Sequence, residues 1–345
     1  MIKKYNTKKV LFSLMISITL FISCTKEDVT KPDIPDIIDN SGVHIVGTNP
    51  SAYHWKDGIG SELATKDFSE ARSVYVSGND VYVAGWSFEN TFRATYWKNG
   101  VAHLLTDENT RSEGYSIFVK DTCVYVSGII IDNADNAVYW KNNQLFELQH
   151  KSDKYQTSCG NSVYVKDSNV YVVGSSTYFN QYSVGLPVYW LNGIIHQLPG
   201  ETTFGSANSV FVTDNNDVYI AGEASNRPVY WKNGIFHLLK YNNRMGGANS
   251  IFVTNNDVYV AGWDVSSAGR CVAKYWKNDI PVVLYDSTKF SVAKSIFVKD
   301  TVIYVAGEDA ESNNNVSKGA YWKNGILIEL TSGIKYGEAN SIYVK

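Results

Sequence analysis

The chain has 345 residues, 31 basic and 34 acidic side chains, and a formal charge of −3. Four lysines fall within its first nine residues, and without them the charge is about −7. Such a chain lacks the basic footprint that nucleic-acid binding requires. It holds 24 Tyr, 14 Phe and 9 Trp, and past residue 22 no run is apolar for long enough to span a bilayer.

Lys3, Lys4, Lys8 and Lys9 precede a 13-residue apolar run, residues 10–22. That run is short for a membrane span and of the right length for a signal-peptide core. It ends Phe21-Ile22-Ser23-Cys24, which resembles the lipobox of bacterial lipoproteins, with Phe21 where that family usually has Leu. The resemblance implies cleavage after residue 23, lipidation of Cys24 with palmitate-type chains, and a firm membrane anchor. Residues 25–41, TKEDVTKPDIPDIIDNS, are acidic and aperiodic and read as an extended tether. Lys26-Glu27-Asp28 resembles the acidic export signals that send some Gram-negative lipoproteins to the cell surface. The expected division is therefore a signal peptide over 1–23, a lipidated tether over 24–42, and one domain over 43–345. Cys123, Cys159 and Cys271 read mainly as small buried residues, with a Cys123–Cys159 disulfide left open.

The domain repeats. Tyr-Trp-Lys-Asn-Gly or a variant recurs around Trp55, Trp97, Trp140, Trp190, Trp231, Trp276 and Trp322, spaced 42, 43, 50, 41, 45 and 46 residues apart. A period in that range, with several short strands per copy, marks a β-propeller. In residues 248–284 the strands are Ser250 to Val253, Val258 to Gly262, Ala273 to Lys277, and a fourth through Leu284, with Gly262 ending the second. Asn99-Gly100, Asn192-Gly193, Asn233-Gly234 and Asn324-Gly325 are strong two-residue hairpin signals between strands three and four. Val-Tyr-Val-Ala strands are apolar on both sides, as a blade sandwiched between neighbours must be. The C-terminal Ala339 to Lys345 is a first strand without partners, and Val43 to Gly47 is a second strand without a predecessor. Pairing them completes a seventh blade and closes the ring. The fold expected is all-β, a seven-bladed propeller of four-stranded antiparallel blades.

The Val-Tyr-Val-Ala-Gly unit, followed by an aromatic third strand and a leucine-ended fourth, resembles the kelch-type seven-bladed propellers over residues 43–345. The kelch double glycine is absent, since each copy has a single glycine such as Gly85 or Gly222. WD40 repeats fit less well, for lack of a repeated Gly-His and Trp-Asp.

One face of such a ring carries only the short Asn/Asp/Gly turns. The other carries the variable second-to-third-strand loops, where function usually sits. These read as Trp86 to Arg93, Ile129 to Asn136, Ser175 to Leu186, Glu223 to Arg227, Trp263 to Val272 and Glu308 to Lys318. Trp86, Arg93, Tyr178, Phe179, Tyr182, Arg227, Trp263 and Arg270 are the candidate ligand-binding residues, being aromatics and arginines of the kind that glycan- and protein-binding faces use. The recurrent inter-blade aromatics Phe68, Tyr155, Phe204, Phe290 and Tyr336 read as packing. So do the seven first-strand serines, among them Ser73, Ser209 and Ser341. Asn161, Asn208, Asn249 and Asn340, with Arg72 and Lys294 at the same place, should approach the channel mouth. His103, His196 and His237 fall in separate blades, which disfavours a metal site. Asp132, Asp135, Asp264, Asp309 and Glu311 are the acids a polysaccharide hydrolase or lyase would have to use. The expectation is a monomeric, membrane-anchored binding module for a glycan or protein, without catalytic residues, metal or cofactor. The alternatives are the hydrolase or lyase and an envelope scaffold.

Overall fold

The computed structural model describes residues 41–345 except 50, 66, 151–156, 179–183, 201–203, 285–288, 311–316 and 331–336. Cys24, Tyr155, Phe179, Tyr182, Glu311 and Tyr336 lie outside the described residues. Among those described, 28 strands form seven four-stranded antiparallel sheets, and no helix occurs. The ring closes as the terminal strands require. Strand β1 (Val43–Thr48) lies between β2 (Ala52–Lys56) and β28 (Glu338–Val344), with β3 (Ile59–Glu62) outermost. Val43 pairs with Val344, Ile45 with Ile342 and Val46 with Ser341. This is blade seven. Blade one is β4 (Ser69–Ser77), β5 (Asp80–Glu89), β6 (Thr91–Lys98) and β7 (Val101–Leu104), and five further blades follow in chain order.

The repeated residues explain the ring. All seven tryptophans of the Tyr-Trp-Lys motif are at most 1% exposed, wedged between adjacent blades. Trp97, Trp190, Trp231 and Trp276 donate from Nε1 to carbonyls of Ala64, Gln149, Pro199 and Lys240 at 2.7–2.9 Å, which ties these four third strands to the segments arriving from the previous blades. The turn asparagine adopts φ near +50° with its glycine near +80° in the Asn-Gly copies, as a tight primed turn demands. Its side chain has a second task. In every blade the Asn Oδ1 (Asp57 in blade seven) accepts the N–H that opens the second strand, at 2.8–2.9 Å. Blade two lacks the glycine, so Asn143 holds φ +66°. Asn143→Gly removes that strain, and its urea midpoint is expected to rise by the equivalent of about 0.5 kcal/mol.

Each inner strand carries a bulge just before its serine, where one extra residue (Arg72 in blade one) stands unpaired. The serine then reaches the next blade. Ser73 Oγ accepts from Ile117 N, and the series continues through Ser116, Ser162, Ser209, Ser250 and Ser295 to Ser341, which accepts from Val74 N. These seven bonds of 3.2–3.4 Å close a circle. The single glycine of each second strand belongs to the same feature: a Cβ on Gly85 would stand 1.8 Å from the Glu70 carbonyl oxygen. Gly85 therefore marks a close backbone approach, not the end of a strand. The supposed loops from Trp86 and Trp263 onward are continuations of β5 and of Asp257–Val265. Cys123, Cys159 and Cys271 are free and half-buried, so no Cys123–Cys159 disulfide forms. Burial pushes the Cys159 thiol up to about 12, and it donates to Asn161 Oδ1 at 3.0 Å.

Candidate functional site

Inner-strand side chains line the central channel. Tyr75, Phe118, Tyr164, Phe211, Phe252, Phe297 and Tyr343, each two residues after its serine, form a closed belt with neighbouring ring centroids 4.6–5.4 Å apart. Toward the mouth, Asn161, Asn208, Asn249 and Asn340 are bulge residues. Their Nδ2 groups donate to carbonyls of Ala207, Ala248, Ala293 and Ala71 in the next blade at 2.8–3.0 Å. Arg72, Tyr115 and Lys294 interrupt this pattern and make the mouth asymmetric. Arg72 bonds Glu70 and Glu113 at 2.9 Å each and lies 4.5 Å from the Tyr115 ring centre. Burial works against the Arg72 charge, but the two carboxylates outweigh it and hold the proton above its usual range. Burial, with Cys159 and Glu113 beside it, pushes the Tyr115 phenol up. Lys294 pairs with Glu338 and reaches Asn340 and Glu308.

Blades one and seven differ in height on this same face, and the difference opens a site. In blade seven the hairpin stops one residue past Gly47, where Thr48 pairs with Ala52. In blade one it continues four residues past Gly85, where Glu89 pairs with Thr91. The taller wall stands uncovered beside its neighbour. Thr48, Phe68, Ser69, Glu70, Trp86, Phe88 and Phe92 line a pocket of about 390 Å³ there. Phe92 meets Trp86 and Phe88 edge-on, with centroids at 4.8 and 5.3 Å, and the Arg111 guanidinium sits 5.0 Å from its centre. Glu70 Oε2 accepts Trp86 Nε1 at 2.7 Å and Arg72 at 2.9 Å, which fixes the indole against the pocket and connects it to the channel mouth. Buried Ser69 accepts the Ala52 N–H, so the floor is stitched to blade seven. Chemically this is an aromatic cup with one carboxylate edge, suited to an apolar or C–H-rich surface.

Phe68 corrects its packing assignment: it is 71% exposed, because blade seven's short hairpin does not reach it. Phe204 and Phe290 are half-buried. The other candidates are not gathered at the cup. Trp263 occupies the equivalent of Trp86 four blades away, beside Gly247 and near Glu223, whose carboxyl is raised by burial. Arg93 is committed to the Thr106 carbonyl and to Glu89. Arg227 donates to the Ala224 carbonyl of its own hairpin. Arg270 is exposed at a hairpin tip, and Tyr178 ends the strand Asn169–Tyr178. Among the acids, Asp264 is buried against Lys274 at 2.5 Å, and Asp132 caps its own turn. His103, His196 and His237 stack on Tyr96, Tyr189 and Tyr230. Among the described residues no three His, Cys, Asp or Glu are placed to hold a metal ion. The sequence alone does not single out Phe88, Phe92, Glu70 and Glu113. The signal was there in the alternation Trp86, Phe88 continuing past Gly85.

No protein-family model and no curated protein sequence matches the chain. In fold it is similar to a Mycobacterium tuberculosis puromycin-hydrolyzing peptidase, with a TM-score of 0.54 and 11% identity over 77% of this chain and 47% of that one. It is also similar to TolB from Acinetobacter baumannii, with a TM-score of 0.46 and 9% identity over 88% and 67%. A third is the extracellular domain of a putative one-component system from B. thetaiotaomicron, with a TM-score of 0.43 and 13% identity over 82% and 39%. The chain spans about half the length of the peptidase, and at these identities the likeness shows the propeller fold alone.

Proposed function

We propose that the chain is a membrane-anchored lipoprotein, displayed on the cell surface, whose kelch-like ring is a monomeric binding module. The aromatic cup between blades seven and one is where its glycan or protein ligand sits. The observation that carries this reading is the step itself. Residues that serve the ring recur in every blade, whereas four aromatic side chains, Phe68 exposed and Trp86, Phe88 and Phe92 half-buried, line one pocket where the blade heights break the symmetry. Pockets of this kind, mostly aromatic with a few fixed polar groups, are what ligand sites use. The lipobox-like Cys24 and acidic tether support the anchor. The hydrolase or lyase reading has no comparable support, since Glu70 and Glu113 are bridged by Arg72 and Asp264 by Lys274.

A glycan array and a pull-down from envelope extract with the full chain would identify the ligand. Trp86→Ala and Phe92→Ala are expected to weaken its binding roughly 30-fold, and Trp263→Ala to leave it unchanged. Equal binding by all three variants would sink the assignment. Cys24→Ala is expected to abolish incorporation of radiolabelled palmitate.

A further inference from the structure

The face opposite the cup carries an apolar crown. In each hairpin between strands three and four, the first residue of the fourth strand pairs across the turn with the last of the third: Val101 with Lys98, Ile235 with Lys232, Ile280 with Lys277. In six of seven blades that residue is Ile or Val, and it is 58–77% exposed: Ile59, Val101, Ile194, Ile235, Ile280 and Ile326. Blade two has Gln144 there. Recurrence at one register is usually a sign of packing, as with the buried tryptophans and the bridging serines. Aliphatic side chains left more than half exposed do not pack on the ring. They form a circle of apolar tips on the turn face, set among lysines whose stems can lie along them.

The chain also enters the ring on this face. Gly42 and Lys345 exchange backbone hydrogen bonds at 3.2 and 3.0 Å, and Val43 N donates to the hairpin carboxylate of Asp57 at 2.9 Å. From Cys24 to Gly42 the chain can span at most about 60 Å fully extended. A lipid on Cys24 would therefore be joined to the ring at its turn face.

We propose that the turn face rests on the lipid bilayer, its six aliphatic tips entering the headgroup–acyl boundary, so that the aromatic cup points away from the membrane. This rests on the anchor reading. The contact is apolar in origin: Lys98, Lys232 and Lys277 are paired with Asp80, Asp217 and Asp257 at 2.8–3.4 Å, so anionic lipid is not required.

The test uses the full lipidated chain in phosphatidylcholine vesicles containing doxyl-labelled lipid. A fluorescent amino acid replaces either Gln144, the exposed crown position of blade two on the turn face, or Asn90, at the tip of the opposite hairpin. Quenching at position 144 is expected to exceed that at 90 by about fivefold or more. It should fall to the level of position 90 when Ile59, Ile235, Ile280 and Ile326 are all changed to Ser, while the chain stays with the vesicles. Equal quenching at the two sites, or no response to the serines, overturns the proposal. So does a shift of the chain to dimer on cross-linking that the serines abolish, since the crown would then bind a second copy. If the serine variant fails to fold, the comparison of positions 144 and 90 in the otherwise unaltered chain decides alone. Failure of the anchor reading is separate: the unaltered chain would then not float with vesicles after a carbonate wash.

Discussion

Deletion of Ser341–Lys345 is expected to remove the cooperative unfolding transition of the ring, or to lower its midpoint by more than 10 °C. The five residues are few, but they close the circle. Ile342 and Val344 are 4% and 7% exposed, and burying two such side chains contributes about 3–6 kcal/mol. Tyr343 sits between Tyr75 and Phe297 in the aromatic belt, with centroids at 5.1 and 4.8 Å. Ser341 Oγ accepts the Val74 N–H, and Ile342 donates to Ser295, so two of the seven bridging bonds go with the segment. Lys345 Nζ also reaches across to the Gly78 carbonyl. Strand β1 would then be an unpaired inner edge, and blades one and six would each lose a neighbour. A folded domain has a margin of only about 5–15 kcal/mol, so a loss of this size falls on the whole ring. Near-ultraviolet circular dichroism reads the environment of the buried tryptophans and decides the matter. A truncated chain that melts within about 2 °C of the full one would mean that the terminal strand is dispensable for closure.

Much of this architecture is legible in the residues. The tryptophan spacing sets the number of blades, the Asn-Gly pairs set the hairpins, and the orphan strands at Val43 and Ala339 set the closure. The channel-facing asparagines and the serines also follow from their recurrence. What escapes a linear reading is height. Gly85 looks like a strand end because glycine weakens strands. It is in fact demanded by the Glu70 carbonyl at the bulge, a contact between residues 15 apart in the chain. Once the strand is allowed to continue, Trp86 and Phe88 belong to a wall and not to a loop. Phe68 cannot be understood within its own repeat at all. Its exposure is set by the brevity of the hairpin from Thr48 to Ala52 in the adjoining blade, which is next to it only because the ring closes. The apolar crown escapes for a different reason. An isoleucine after a turn is what any strand prefers, and only the position of the fourth strand on the outer rim leaves it exposed.

Closure also has a chemical peculiarity that predicts its response to acid. At the two places where blade one has Tyr82 and Tyr96, blade seven has His44 and His54. The two imidazoles lie with nitrogens 3.0 Å apart, and His44 is completely buried. Burial, reinforced by the positive charges of His44 and Lys56, lowers the His54 pKa from 6.5 to about 4. The folded chain thus binds this proton less readily than the unfolded chain. The stabilising contribution is complete above pH 6.5 and declines as the pH falls through 6.5 toward 4, by on the order of 2–3 kcal/mol in all. Between pH 7 and 4.5 the midpoint is expected to drop by about 5 °C more in the natural chain than in His54→Tyr, which restores the residue the other six blades carry at that place. Carboxylates titrating in the same range act on both chains and cancel in the difference. Parallel pH profiles would show that the pair accepts a proton without penalty, as a single shared N–H···N bond would allow. A steeper fall in the natural chain, with hydrogen exchange rising first in Val43–Lys56, would place the weak point of the ring at the blade formed by its two ends.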